Sequence, residues 1–124
     1  MSIEWNESYK IGQAEIDQQH QHLFALTRAL LEETDETRMR SLIMLLYKHT
    51  REHFELEEHL MRQLNFPDLH AHVHDHSHLL GKLNAISKEM GQGVFNKPAL
   101  EQLMGDWTLR HILQDDAALA AFMR

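Results

Sequence analysis

Cysteine is absent from the 124 residues of the chain, which excludes disulfides, thiolate zinc sites, iron–sulfur clusters and cysteine nucleophiles together. Glycine and proline are scarce, five and two. A sheet protein with many tight turns has little to be built from here, and long helices with short connections fit better. No apolar run approaches the roughly 18–20 residues that cross a bilayer, and the polar opening MSIEWNESYK has no signal-peptide hydrophobic region. Basic residues are outnumbered, 12 Lys+Arg against 19 Asp+Glu for a formal charge of −7, with no basic stripe. Nucleic acid and membrane are therefore not expected as partners. A cytoplasmic protein is expected, with one domain spanning 1–124.

What the chain has in excess is histidine, 11 residues. Beside many carboxylates and no thiol, that excess points toward nitrogen and oxygen ligation of a metal.

The fold follows from hydrophobic rhythm and punctuation. After an N-terminal arm through about Glu15, the positions Ile16, His20, Leu23, Thr27 and Leu30 alternate in steps of four and three and predict a first helix. A polar break at Thr34, Asp35 and Thr37 precedes a second stripe of Leu42, Leu46, His49, His53, Leu56, Leu60 and Leu64, which ends at Asn65-Phe66-Pro67. The third stretch is the most regular: Leu69, His72, His76, Leu79, Leu83, Ile86 and Met90, stopped by Gly91-Gln92-Gly93. Lys97-Pro98 restarts the chain, and Leu100, Leu103, Trp107, His111, Ala118 and Phe122 predict a fourth inward face. Four helices with short loops imply an all-α, up-down-up-down four-helix bundle.

One segment invites a different reading. From His70 to His78 histidine occupies every second position, and as a strand it would present five imidazoles on one face. The heptad from Leu69 to Met90 runs through it, so a helix is expected, with His72 and His76 inward and His70, His74 and His78 turned elsewhere.

The same periodicity places His20, His49, His53, His72, His76 and His111 toward the bundle interior. A single inward histidine is ordinarily a hydrogen-bonded core residue, but six would be costly without an organising partner. His72 and His76 stand at i and i+4, about 40° apart on a helix, so both can reach one ion at roughly 2.0–2.2 Å. His53 and Glu57 share that spacing, whereas Glu58 is turned about 100° further round. Trp107 reads as core packing that shields the centre, and His22 and His59 as solvated. His49 is left open between extra ligand, supporting hydrogen-bonder and polar core group.

At these residues the sequence resembles the bacterial hemerythrins of the hemerythrin family. The matching stretches are Trp5 with IGQAEIDQQHQHLF, then HFELEEHLM, FPDLHAHVHDHSHLL and WTLRHILQDD, and together they cover essentially the whole chain. The resemblance implies a non-haem di-iron centre, two iron ions with an oxo or hydroxo bridge, and dioxygen as ligand. Carried over, His72, His76 and His111 would hold one iron and His20 and His53 the other, with Glu57 and Asp116 bridging. Two departures stand out. The position of His49 is often aromatic in similar sequences, and Asp116 lies five residues after His111, where an ideal helix would align Asp115 instead. A local widening of the fourth helix, or a carboxylate reaching from its flank, would reconcile the pattern with Asp116; Asp115 is the fallback.

The resemblance implies reversible dioxygen binding, for storage, delivery or sensing, in a protein that is not an enzyme. Centres built mostly of neutral imidazole have less negative charge to stabilise high-valent iron than carboxylate-rich ones, which favours binding over deeper oxidation. Two alternatives remain: a di-iron enzyme reducing peroxide or nitric oxide, and a divalent-metal buffer built on the His70–His78 tract. No protein partner is legible.

Overall fold

The computed structural model describes residues 5–12 and 14–123. The first residues of the predicted arm, Gln13 and the last residue of the chain lie outside them. Among the described residues there is no strand, and the chain forms an all-α four-helix bundle. Its helices are α1 (Ala14–Glu32), α2 (Glu36–Gln63), α3 (Leu69–Gly91) and a composite fourth helix, in which α4 (Lys97–Asp106), a π-helical segment (Trp107–Asp116) and α5 (Ala117–Met123) follow one another without a break. Consecutive helices pack side by side, as their short connections require.

Each end has a local cause. Asp35 caps α2 by accepting from the Thr37 N–H at 3.2 Å, and Asn96 caps α4 by accepting from Ala99 N–H at 3.1 Å. The far end of α2 is set by Asn65 rather than by proline alone. Asn65 takes φ 53°, and the N–H groups of Asn65 and Phe66 then donate to the carbonyls of Arg62 and Met61 at 3.2 and 2.9 Å. This crossed pair satisfies carbonyls that the helix end would leave free, and Phe66 packs in one cluster with Met61. Gly93, at φ 89°, ends α3 in the same way.

The arm is tied down by Asp17, a buried carboxylate on the first turn of α1 that accepts from the N–H groups of Ile11 and Gly12 at 2.9 and 3.3 Å. Trp5 and Tyr9 then lie against Phe24, with ring centroids 5.7 and 5.9 Å away.

The inward faces of α1 and α3 are those expected: Ile16, His20, Leu23, Thr27 and Leu30 are buried, and so are His72, His76, Leu79, Leu83, Ile86 and Met90. On α2 the predicted stripe lies along one edge of the true one. The buried positions are Ile43, Leu46, Thr50, His53, Phe54, Glu57 and Met61, and His49 is corrected to a half-exposed position. Thr50 takes the inward place because its hydroxyl donates to Leu46 C=O at 2.6 Å, so no polar group is left unpaired.

The fourth helix requires the second correction. Leu100, Leu103, Trp107 and His111 are buried as expected, but Ala118 and Phe122 are exposed, and Leu119 and Ala120 are buried instead. Between the two halves lies the π-helical segment, whose i→i+5 hydrogen bonds insert one residue relative to α-helical phase. Everything beyond it is shifted by one position, so Leu119 falls where Ala118 would have faced the core.

Candidate metal centre

The bundle interior at mid-height is polar. His20, His53, Glu57, His72, His76, His111 and Asp116, brought by all four helices, are each at most 3% exposed. Two sets of donor atoms lie mutually within 4.8 Å: one from His20, His53, Glu57 and Asp116, the other from Glu57, His76 and His111. Glu57 belongs to both and sits between them. His53 Nε2 is 2.9 Å from Glu57 Oε1, His20 Nε2 is 3.1 Å from Asp116 Oδ2, and His111 Nε2 is 3.2 Å from the other oxygen of Asp116. His76 Nε2 and His111 Nε2 face each other at 3.1 Å.

His72 stands slightly apart, its ring centroid 5.9 Å from those of both His76 and His111. Asp115, the fallback carboxylate, is half-buried on the outer side of His111, with Oδ2 3.7 Å from Nδ1. The π-helical segment that moves Leu119 inward also moves Asp116 inward, because its wider turn aligns a residue five positions after His111. The expected local widening is present.

The outer ring nitrogens show residues that sequence reasoning did not single out. Gln19 Oε1 accepts from His53 Nδ1, and Glu58 Oε2 faces His76 Nδ1 at 3.0 Å. With Asp115 beside His111, three imidazoles have an oxygen on the outer nitrogen and the Nε2 edge turned to the interior. Such partners fix the tautomer of a ligating histidine and raise its basicity. Glu58 is turned off the α2 core face, but that direction leads toward α3. Periodicity within one helix gives no signal of this kind of contact.

Phe54 stacks on the His76 ring with centroids 3.8 Å apart, and Trp107 stacks on His111 and meets His20 edge-on. These rings shield the polar cluster from water and hold the imidazoles in place.

The electrostatics are those of closely coupled groups. Burial raises the Glu57 carboxyl, but the adjoining His53, with Asp116 and His111 beside it, outweighs this, and the net shift is well downward. Burial also disfavours a charged His111, yet Asp116, Asp115 and Glu57 reverse this and raise it well above the usual imidazole range. His76, desolvated and next to His111, is pushed down to about 2. Glu58 is raised by partial burial.

The donor set fits a metal. Four buried atoms, His20 Nδ1, Glu57 Oε2 and both ring nitrogens of His72, have no hydrogen-bond partner within the described residues. Each orphaned polar atom costs about 1–3 kcal/mol, so four cancel much of the about 5–15 kcal/mol that holds an ordinary domain together. A cation bound among these atoms removes the penalty, and an all-nitrogen and oxygen set suits iron or another first-row ion.

A four-helix bundle with an interior histidine–carboxylate centre defines the class. The family model described as the hemerythrin HHE cation binding domain matches residues 12–122, and the chain belongs to the hemerythrin family. It is similar to the bacteriohemerythrin of Ralstonia nicotianae, 28% identical over 91 residues that make up 73% of this chain and 66% of that relative. The bacteriohemerythrin of Stenotrophomonas maltophilia is 27% identical over 94% of this chain and 78% of its own length. The myohemerythrin of Riftia pachyptila is 26% identical over 87% and 82%. No helix of the described residues is long and apolar enough to cross a membrane.

Proposed function

We propose that the chain, acting as one domain over 1–124, holds two iron ions in this centre and binds dioxygen reversibly. The observation that carries the reading is the pair of donor sets sharing Glu57, because one carboxylate common to two sets is what a dinuclear site needs. His72, His76 and His111 are assigned to one ion, His20 and His53 to the other, and Glu57 and Asp116 to both. When bound, the ferrous pair would supply two electrons that dioxygen takes up and returns.

The chain's own residues set the conditions for that exchange. On this assignment His20 and His53 make a set one imidazole smaller than that of His72, His76 and His111, which would leave room there for a small ligand. Gln19 and Glu58 hold the rings of His53 and His76 with Nε2 inward. Leu23, Phe24 and Trp107 are each at most 2% exposed, and exclude the water and protons that would make oxidation irreversible. Five neutral imidazoles against two carboxylates favour binding over turnover.

Anaerobic reconstitution with ferrous iron, followed by optical spectra on admitting and then removing air, tests this. Two irons per chain and a visible charge-transfer band that appears and disappears are expected. Irreversible oxidation with no lasting adduct would instead support a redox enzyme reducing peroxide or nitric oxide.

A further inference from the structure

Two cavities flank the centre, and their charges differ. The one between α3 and the fourth helix is lined by Lys82 and Arg110 as well as by aspartates, and it reaches His111. The one between α1 and α2, about 310 Å³, has Glu15, Gln19, His22, His49 and Glu52 on its walls and reaches His53; neither lysine nor arginine lines it. With two carboxylates, two histidines and no fixed positive charge, it favours a cation.

The His22 and His49 rings meet edge-on across its mouth, centroids 4.8 Å apart at 86°. Rotation of these accessible side chains can bring one nitrogen of each to a common ion at the about 2.0–2.1 Å of a metal–imidazole bond. Glu52 Oε2 lies 3.8 Å from His49 Nδ1. A small rotation of either side chain would bring the carboxylate onto Nδ1, where it would orient the ring and leave Nε2 as the ligating atom. At the inner end, His53 presents Nδ1 toward Gln19, which lines the cavity, and Nε2 toward Glu57 in the centre. A single imidazole thus stands between the cavity and the buried donor atoms.

We propose that His22, His49 and Glu52 form a peripheral site for a divalent first-row metal ion, from which the ion passes to the buried centre beside His53. The passage is ligand exchange without change of oxidation state: bonds to His22 and His49 break as bonds to His53 and Glu57 form. The entry role rests on the di-iron proposal; the peripheral site itself does not. The exposed row His70, His74 and His78 on α3 also offers i, i+4 imidazole pairs; His78 lines the cavity that reaches His111, but none of the three lines the α1–α2 cavity, so the row is removed from the parent protein of the test.

The test uses the untagged full chain carrying His70→Ala, His74→Ala and His78→Ala, with zinc ion as the probe in equilibrium dialysis. Adding His22→Ala and His49→Ala is expected to remove one bound zinc per chain, and Glu52→Gln to weaken that ion by about tenfold or more, with an unchanged circular dichroism spectrum. In parallel, the initial rate of ferrous uptake by metal-free protein is expected to fall several-fold in the His22/His49 variant, while the final iron content equals that of the parent. Equal zinc content in the two proteins would overturn the site. Loss of zinc with an unchanged uptake rate would overturn the entry role alone. Should the parent hold no iron, the di-iron proposal and the entry role fail together, and the zinc difference still decides the peripheral site.

Discussion

α3 and the fourth helix each deliver histidines to the same centre, but by different backbone means. On α3 an unbroken heptad carries His72 and His76 at i and i+4, and the residues that follow them toward Met90 stay in phase. On the fourth helix His111 and Asp116 are five apart, and they share a face only because residues 107–116 are π-helical. In the first case the regular helix suffices to build the site. In the second the site needs a departure from it, and the inserted residue is seen twice: Asp116 rather than Asp115 faces the ions' place, and Leu119 rather than Ala118 faces the core. A π-helical turn inside an α-helix sacrifices good hydrogen-bond geometry and persists where function keeps it.

Deleting the extra residue would sharpen this contrast by making the fourth helix as regular as α3. Removal of the exposed Leu113 should return the segment to α-helical hydrogen bonding; Asp116 then stands four places after His111, and Leu119 keeps its place toward the core. We expect the iron to be retained and the fold to be no less stable, since neither a ligand nor a buried leucine is lost. Iron analysis and thermal unfolding of the deletion variant would show it; loss of iron with a lowered midpoint would contradict the register assignment.

On α3 the corresponding contrast is between neighbours. His72→Ala should lose iron, and His74→Ala, exposed on the same helix, should keep it. Equal losses would return the His70–His78 tract to service as a metal buffer. Beyond the π segment, Leu119→Ala should cost about 2–5 kcal/mol as a fully buried leucine, whereas Ala118→Ser should change stability by less than about 0.5 kcal/mol. Denaturant unfolding of the pair measures the one-residue shift directly.

How much of this was legible in the sequence depends on the helix. The rhythm of α1 and α3 placed every expected inward residue from Ile16 to Leu30 and from His72 to Met90, because regular α-helices repeat faithfully. On α2 the leucines at 42, 56, 60 and 64 pulled the expected face to one side, and only packing shows that Thr50, with its hydroxyl bonded to Leu46, outcompetes His49. The five-residue distance between His111 and Asp116 in the family pattern points to the π segment, whereas the one-position shift it imposes on Ala118 and Phe122 shows only in the folded helix. Gln19 and Glu58 were invisible because their contacts cross between helices.

A smaller effect distinguishes the coupled histidines. In the metal-free fold the shift of His111 favours its protonated form, while that of His76, held down to about 2, favours the neutral form. The His111 shift therefore stabilises the metal-free fold below the ordinary imidazole range and is lost as pH rises through the raised value. The His76 shift acts oppositely, withdrawing stability as pH falls below that range. Ligation requires neutral His111, so metal uptake near pH 7 should release a proton. Calorimetry in buffers of different protonation enthalpy would detect it; no release would contradict the assignment of His111. By the same competition, iron should be lost on acidification, and content unchanged down to about pH 4 would contradict ligation by imidazole.

The central claim, that the π-helical turn selects which aspartate serves the centre, is tested most directly by iron content after anaerobic reconstitution of Asp116→Asn and Asp115→Asn side by side. The account predicts that Asp116→Asn falls below two irons per chain while Asp115→Asn, which alters only the outer side of His111, retains both. Full iron in Asp116→Asn with loss in Asp115→Asn would contradict it.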